Sequence, residues 1–265
     1  FDKIVINLTD NADYPDIAPI NFLKYKISRV LNFEDKTKDL FKSYFLDDYE
    51  KVSDVFLKNL KTATSWIVKK ISIDFLLELA LEFPRENGLH TAMHYCNLIK
   101  VSATESVRTR AGQALLKLFP HLSLDERNDV SVELLRALEM QGFQFTKYIP
   151  PYLGKMLLYL HPVELDEVIE DFIEKIKQSS PQVTFLLLRT IGSAIENYPQ
   201  YKERFNEGKE KNQKRLRKML GILLNGLANY DYQVSHEAFR VIGKEVLGSP
   251  VLPLEEKGVI FSLIL

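Results

Sequence analysis

His90 and His94 stand four residues apart, a spacing that sets two imidazoles on one side of a helix and that zinc sites use. In a hydrolytic zinc helix of the H-E-x-x-H type, a glutamate follows the first histidine and serves as general base; here Thr91 follows His90. Cys96 lies near but off that face and is the one cysteine of the chain. A thiol nucleophile needs a base beside it, and none can be assigned, so Cys96 is expected to be a packed core thiol. Carboxylates are plentiful but run together: Asp125, Glu126, Asp129, Glu133 and Glu139, then Glu164, Asp166, Glu167, Glu170, Asp171 and Glu174. Runs of that kind read as solvated helix faces rather than as an acid–base pair in a cleft. No G-x-G-x-x-G, P-loop or G-x-S-x-G pattern occurs. The sequence therefore predicts no catalytic residue, no metal ligands and no cofactor.

The elements that carry these residues are helical. Strand signals are poor, whereas apolar residues recur at helical spacing in segments of roughly 15–20 residues split by Pro, Gly, Ser or Asp. Hydrophobic residues make up 46% of the 265-residue chain, enough to fill a sizeable core. Charged residues make up 27% and nearly cancel, leaving a formal net charge of −1, so no global field draws the chain to nucleic acid or membrane.

Five segments repeat one pattern: a capping residue, a β-branched residue three positions on, then apolar or small residues four and eight beyond that. They are Thr64 with Ile67, Ile71 and Phe75; Thr104 with Val107, Ala111 and Leu115; Thr146 with Ile149, Leu153 and Leu157; Ser180 with Val183, Leu187 and Ile191; and Asp231 with Val234, Ala238 and Ile242. The caps are 40, 42, 34 and 51 residues apart. A side-chain oxygen at the cap accepts from a free N–H of the first turn, and the 0, 4, 8 spacing draws one stripe to bury. A partner helix is expected before each, over 46–61, 88–102, 123–142, 162–178 and 209–229, with a sixth beginning at Pro253. Ser123 and Glu126 form a capping box, and Pro162 and Pro253 suit the first helical position with acid close behind. Trp66 is expected in the core. Gly154, Gly192 and Gly243 are expected to mark close packing between adjacent repeats.

Thr104, Val107, Arg108 and Ala111 resemble the start of a HEAT-repeat second helix, D-x-x-V-R-x-x-A. Asp231, Val234 and Ala238 are similar, with Ser235 where that family favours arginine. The other three copies lack both the arginine and the alanine. The resemblance covers roughly residues 46–265 and implies an all-α fold: an α-α superhelix, a HEAT/armadillo-like solenoid of about five helix pairs, whose second helices line a concave face that usually binds a partner. Residues 1–45 do not follow the period and are expected to form an N-terminal helical cap or a linker to a preceding region.

Numbered from the β-branched residue, positions 3, 6 and 10 of each second helix share a face away from the core stripe. They bring Arg110, Gln113 and Lys117, then Tyr152, Lys155 and Tyr159, then Leu186, Arg189 and Ser193, then Glu237, Arg240 and Lys244 to one side. The expected role is a mildly basic, tyrosine-bearing groove, and the expected function a non-catalytic scaffold that holds a protein or peptide partner, acidic in character. The competing reading is that these cations only solvate a face and pair with glutamates of neighbouring helices. The run Lys209 to Lys218 is expected to be a solvated first turn. Two alternatives stand beside the scaffold: the helical-repeat region of a larger bacterial multidomain enzyme, and a HEAT-type DNA-binding protein, for which no motif speaks.

The chain begins without Met and stops within an apolar segment, Gly258 to Leu265, so it is expected to be a fragment whose array continues past the C-terminal end. No signal peptide is legible, no stretch approaches the ~20 apolar residues of a membrane span, and the single cysteine fits a reducing, cytoplasmic setting.

Overall fold

In a computed structural model of the chain, residues 49–264 are described apart from Gln141, Asn206 and Val251. The expected N-terminal cap over 1–45 lies outside the described residues. Every regular element among the described residues is helical. In chain order they are α1 Tyr49–Thr62, α2 Trp66–Glu82, α3 Pro84–Val101, α4 Glu105–Leu118, α5 Leu124–Ala137, α6 Phe143–Thr146, α7 Pro150–Leu157, α8 Pro162–Gln178, α9 Pro181–Arg204, α10 Lys209–Leu227, α11 Tyr232–Val241 and α12 Leu254–Ile264. A 3-10 turn, Phe119–His121, follows α4, and α11 runs on into a π-helical stretch, Ile242–Leu247. No described helix is long and apolar enough to cross a membrane.

The helix starts follow local chemistry. Ser123 accepts from the N–H of Glu126, whose carboxylate accepts from the N–H of Ser123, closing the expected capping box on α5. Pro162 opens α8 as expected, and His161 is the cap: its Nδ1 accepts from the N–H of Val163 while Glu164 accepts from the N–H of His161. Ser180 caps α9. Asp231 caps α11, accepting from Gln233 and Val234 at 2.8 and 3.1 Å.

Two starts differ from expectation. The cap of α2 is Ser65, not Thr64, and the stripe shifts towards Val68, Ser72 and Leu76, all buried; of the expected stripe Phe75 is buried, whereas Ile67 and Ile71 are only half-buried. Trp66, expected in the core, is 49% exposed for the same reason. Thr146 caps nothing. It ends the short α6, which begins after Gly142 in the left-handed region at φ 107°, and α7 starts afresh at Pro150, where a missing N–H is harmless. Its stripe is nonetheless as expected, with Ile149, Leu153 and Leu157 buried. In α4, α9 and α11 the stripes hold too: Val107, Ala111 and Leu115, then Leu187 and Ile191, then Val234, Ala238 and Ile242 are buried, and Val183 is half-buried.

The chain divides into two compact units. The first holds the described residues 49–98 with Ser102–His121, and the second holds Ile99–Val101 with Leu122–Leu265. In the first unit α1 packs on α2 and α2 on α4. Phe56 stacks on Phe75 with ring centres 4.2 Å apart. Asn87 donates to Ser53 Oγ, and the buried Tyr95 hydroxyl donates to the Ile73 carbonyl at 2.7 Å, tying α3 to α1 and α2. In the second unit α5 packs on α7, α7 on α9 and α9 on α11, while α8 lies against α10. Burying each Leu, Ile or Val side chain of these stripes contributes about 1.5–3 kcal/mol.

Candidate functional site

The residues expected to meet a partner occupy positions 3, 6 and 10 of α4 in the first unit and of α7, α9 and α11 in the second. With Val68 as the zero of α2, Asp74 takes position 6 of that helix. Arg110, position 3 of α4, clamps it: Nε and a terminal nitrogen donate to the two carboxylate oxygens at 2.5 and 2.8 Å. This bond raises the pKa of the Arg110 guanidinium above its ordinary value, against a smaller opposing effect of burial. In the second unit, Arg189 at position 6 of α9 donates to Glu237 at position 3 of α11, at 2.6 Å. The two seams thus join the same register positions with the charges exchanged. The seam of α7 with α9 has no such pair, because Lys155 at position 6 faces a helix whose position 3 is the buried Leu186. It closes through a glycine instead. A Cβ on Gly154 would land on the Thr190 carbonyl and come within 2.7 Å of Ser193 Cβ, and Ser193 donates to the Pro151 carbonyl.

Glu237 is the centre of a larger cluster. Its side chain is 5% exposed and accepts from Arg189 and from Arg240, which also donates to Glu245 at 2.9 Å. Burial pushes the Glu237 carboxyl up, but the bonds from Arg240 and Arg189 outweigh it and hold the group below the usual carboxylate range. Arg189 also lies over the Phe185 ring, 4.5 Å from its centre. The cluster covers Gly192, where a Cβ would strike Val241 and come within 2.7 Å of Glu245 Oε2.

The nine residues singled out from sequence therefore separate. Arg110, Arg189 and Arg240 are engaged within the fold. Lys155 and Lys244 in the second unit, and Gln113 and Lys117 in the first, are exposed. Tyr152 is half-buried. Tyr159 lies beneath Arg204, whose guanidinium carbon sits 3.5 Å from the ring centre. Arg204 donates to the Leu158 carbonyl at 2.6 Å and Arg127 to the Tyr159 carbonyl at 3.3 Å, so two arginines close the C-terminal end of α7. Burial, then repulsion from Arg204, lowers the pKa of Arg127.

The basic run in α10 is not simply a solvated turn. Arg215 has a 3% exposed side chain and reaches both oxygens of Asp166 at 2.7 and 2.8 Å and Glu207 at 2.5 Å. Tyr201 also donates to Glu207, at 2.6 Å. Burial raises the Glu207 carboxyl, and the bonds from Arg215 and Tyr201 more than reverse that. Lys218 pairs with Glu170. Acidic α8 and basic α10 thus neutralise each other across their contact. Glu207 was not foreseen, because nothing in a short loop signals which arginine it will meet.

His90 and His94 do share a face, with Nε2 atoms 3.3 Å apart. Burial, then the charges of His90 and Lys61, lowers His94 from the ordinary 6.5 to about 4. Among the described residues no group of three or more potential ligands could hold a metal ion. Cys96 is buried, as expected of a core thiol.

What sequence reasoning missed is a patch on α11 and the turn before it. Tyr230 is 95% exposed, Tyr232 77% and Phe239 70%, and the exposed His236 ring lies 5.8 Å from that of Tyr232. The spacing 232, 236, 239 is itself a helical stripe opposite the buried one, a signal readable in the sequence. Comparison of the chain with protein-family models, with curated proteins and with solved structures finds no match.

Proposed function

We propose that this chain is a HEAT-type helical array serving as a non-catalytic, cytoplasmic scaffold that holds a protein or peptide partner. The observation that supports the repeat reading is the recurrence of one register contact, position 6 of a second helix to position 3 of the next, in Asp74 with Arg110 and in Arg189 with Glu237. A stack of second helices held in register presents exposed side chains at fixed spacing, which is what a binding surface of this class requires. The cations left exposed, Lys155 and Lys244 in the second unit, suit an acidic partner. The DNA-binding alternative is weakened because Arg110, Arg189 and Arg240 already hold carboxylates.

The test is a Lys155→Glu/Lys244→Glu variant compared with the parent chain by cross-linking in cells and by circular dichroism. The scaffold reading expects partners to be lost while helicity is kept. An unchanged set of cross-links would sink the assignment of these cations to a partner.

A further inference from the structure

We propose that His90 and His94 form a two-nitrogen clamp on α3 for a divalent transition metal ion, zinc by its geometry. The inference stands apart from the scaffold reading and lies within the first unit. Residues four apart lie one above the other on a helix face. Here both imidazoles bring the same nitrogen to the same place: the Nε2 atoms are 3.3 Å apart, with ring centres 4.8 Å apart and planes crossing at 63°. Two neutral imidazoles that meet through Nε2 can hold one proton between them, and at this separation the bond it makes is a long one. A metal ion takes that proton's place and binds both lone pairs.

Distance selects the ion. Zinc–nitrogen bonds of about 2.0–2.1 Å that span 3.3 Å meet at about 105–110°, close to tetrahedral. A square-planar copper site with bonds of that length sets neighbouring nitrogens about 2.9 Å apart, closer than this pair. His90 is exposed and His94 half-buried, so an ion in solution reaches both. Burial, then the charges of His90 and Lys61, lowers His94 from 6.5 to about 4, so at neutral pH no second proton competes for its lone pair. The charge of Lys61 opposes a cation at the same place and keeps the affinity moderate. The glutamate missing after His90 removes the general base of a hydrolytic site, not a ligand. Since no group of three protein ligands occurs among the described residues, water fills the remaining positions. The chemistry is binding: an ion that staples one turn of α3.

The experiment titrates zinc into the metal-free chain by isothermal calorimetry and follows thermal unfolding in parallel. One ion per chain is expected, with a rise in Tm because zinc held by this pair binds the folded state in preference to the unfolded one. His90→Gln and His94→Gln should each weaken binding by about tenfold or more, roughly 1.4 kcal/mol, and abolish the rise. His236→Gln removes an exposed histidine of the second unit and should leave both readings unchanged. His90 is exposed, so its substitution spares the core, and circular dichroism confirms that the fold is kept. The absence of saturable binding, or binding that His90→Gln and His94→Gln leave as it was, overturns the proposal. So does an equal loss in His236→Gln, which would assign the zinc to scattered surface histidines instead of to this pair.

Discussion

Arg189 Nε donates to Glu237 Oε1 at 2.6 Å, and Glu237, nearly buried, also takes the guanidinium of Arg240. Truncating Glu237 leaves two arginines without their shared carboxylate, whereas truncating Arg189 leaves Glu237 with Arg240. Glu237→Ala is therefore expected to destabilise the fold by about 2 kcal/mol, below the 3–5 kcal/mol of a fully buried pair because both arginines are about a third exposed. Arg189→Ala should remove less than half of that. Urea unfolding of the two single variants and the double variant gives the coupling energy, and additive effects would show that the bond does not hold the seam.

Acid should loosen this seam and the cluster around Arg215. The folded-state pKa of Glu237 and of Glu207 is depressed by arginine bonds that outweigh burial. Each contributes stability that is present above the unfolded carboxylate pKa of about 4.3 and lost as pH falls through the lower folded value. Stability should drop steeply below about pH 4.3, and the Glu237→Gln variant, weaker at neutral pH, should show a shallower drop. An equal slope in the variant would mean that Glu237 is not the group protonated.

The glycines of the chain are not equivalent. A methyl at Gly154 meets the Thr190 backbone and one at Gly192 meets Val241, so Gly154→Ala and Gly192→Ala should each lose about 1–3 kcal/mol to overpacking. Gly221, inside α10 with nothing within 4 Å of an added Cβ, should behave oppositely, Gly221→Ala adding about 0.5–1 kcal/mol. Thermal unfolding separates the two signs. A stabilised Gly192→Ala variant would mean that α9 and α11 do not approach as closely as described.

These contrasts show what the sequence carried and what it did not. Helix identity and burial along α4, α7 and α11 were legible because one local rule, a stripe at 0, 4 and 8, sets both. The slip at α2 arose because Thr64 and Ser65 are both good caps and only tertiary packing chooses between them. The false cap at Thr146 arose because two prolines, Pro150 and Pro151, favour a fresh start three residues later than the pattern suggested. The basic face was half legible: helical spacing places Arg110, Arg189 and Arg240 at positions 3 and 6 of their helices and sets Arg240 one turn from Glu237, but the pairs of Arg110 with Asp74 and of Arg189 with Glu237 depend on the register between helices, which no single helix encodes. The same holds for Gly243, expected at a close approach and found open.

His94 offers a separate pH window in the first unit. Its pKa falls from 6.5 to about 4 because burial, then His90 and Lys61, disfavours its charge. The unfolded chain thus binds a proton between those values that the folded chain does not. The stability it contributes is complete above pH 6.5 and erodes as pH falls towards 4. Discounted for its half-exposed ring, the loss should be about 1 kcal/mol. His94→Gln should flatten this part of the pH profile. A persistent slope between pH 4 and 6.5 would assign it to another group.

Duplex DNA provides the sharpest contrast between a scaffold and a nucleic-acid binder. With Arg189 and Arg240 holding carboxylates, the part of the expected basic face in the second unit keeps Lys155 and Lys244 as its exposed cations at positions 3, 6 and 10. Each phosphate neutralised contributes about −0.9 to the slope of log K against log salt, so Lys155→Glu/Lys244→Glu should flatten the slope for a mixed-sequence duplex by no more than about 2, the exposed Lys209, Lys211, Lys214 and Arg217 of α10 supplying the rest of any slope. A slope near −6 or beyond that persists when Lys209, Lys211, Lys214 and Arg217 are neutralised as well would mean that the ion pairs of Arg189 and Arg240 open in the complex. The arginines would then be ligands for phosphate, and the seam between α9 and α11 would be the binding site instead of its support.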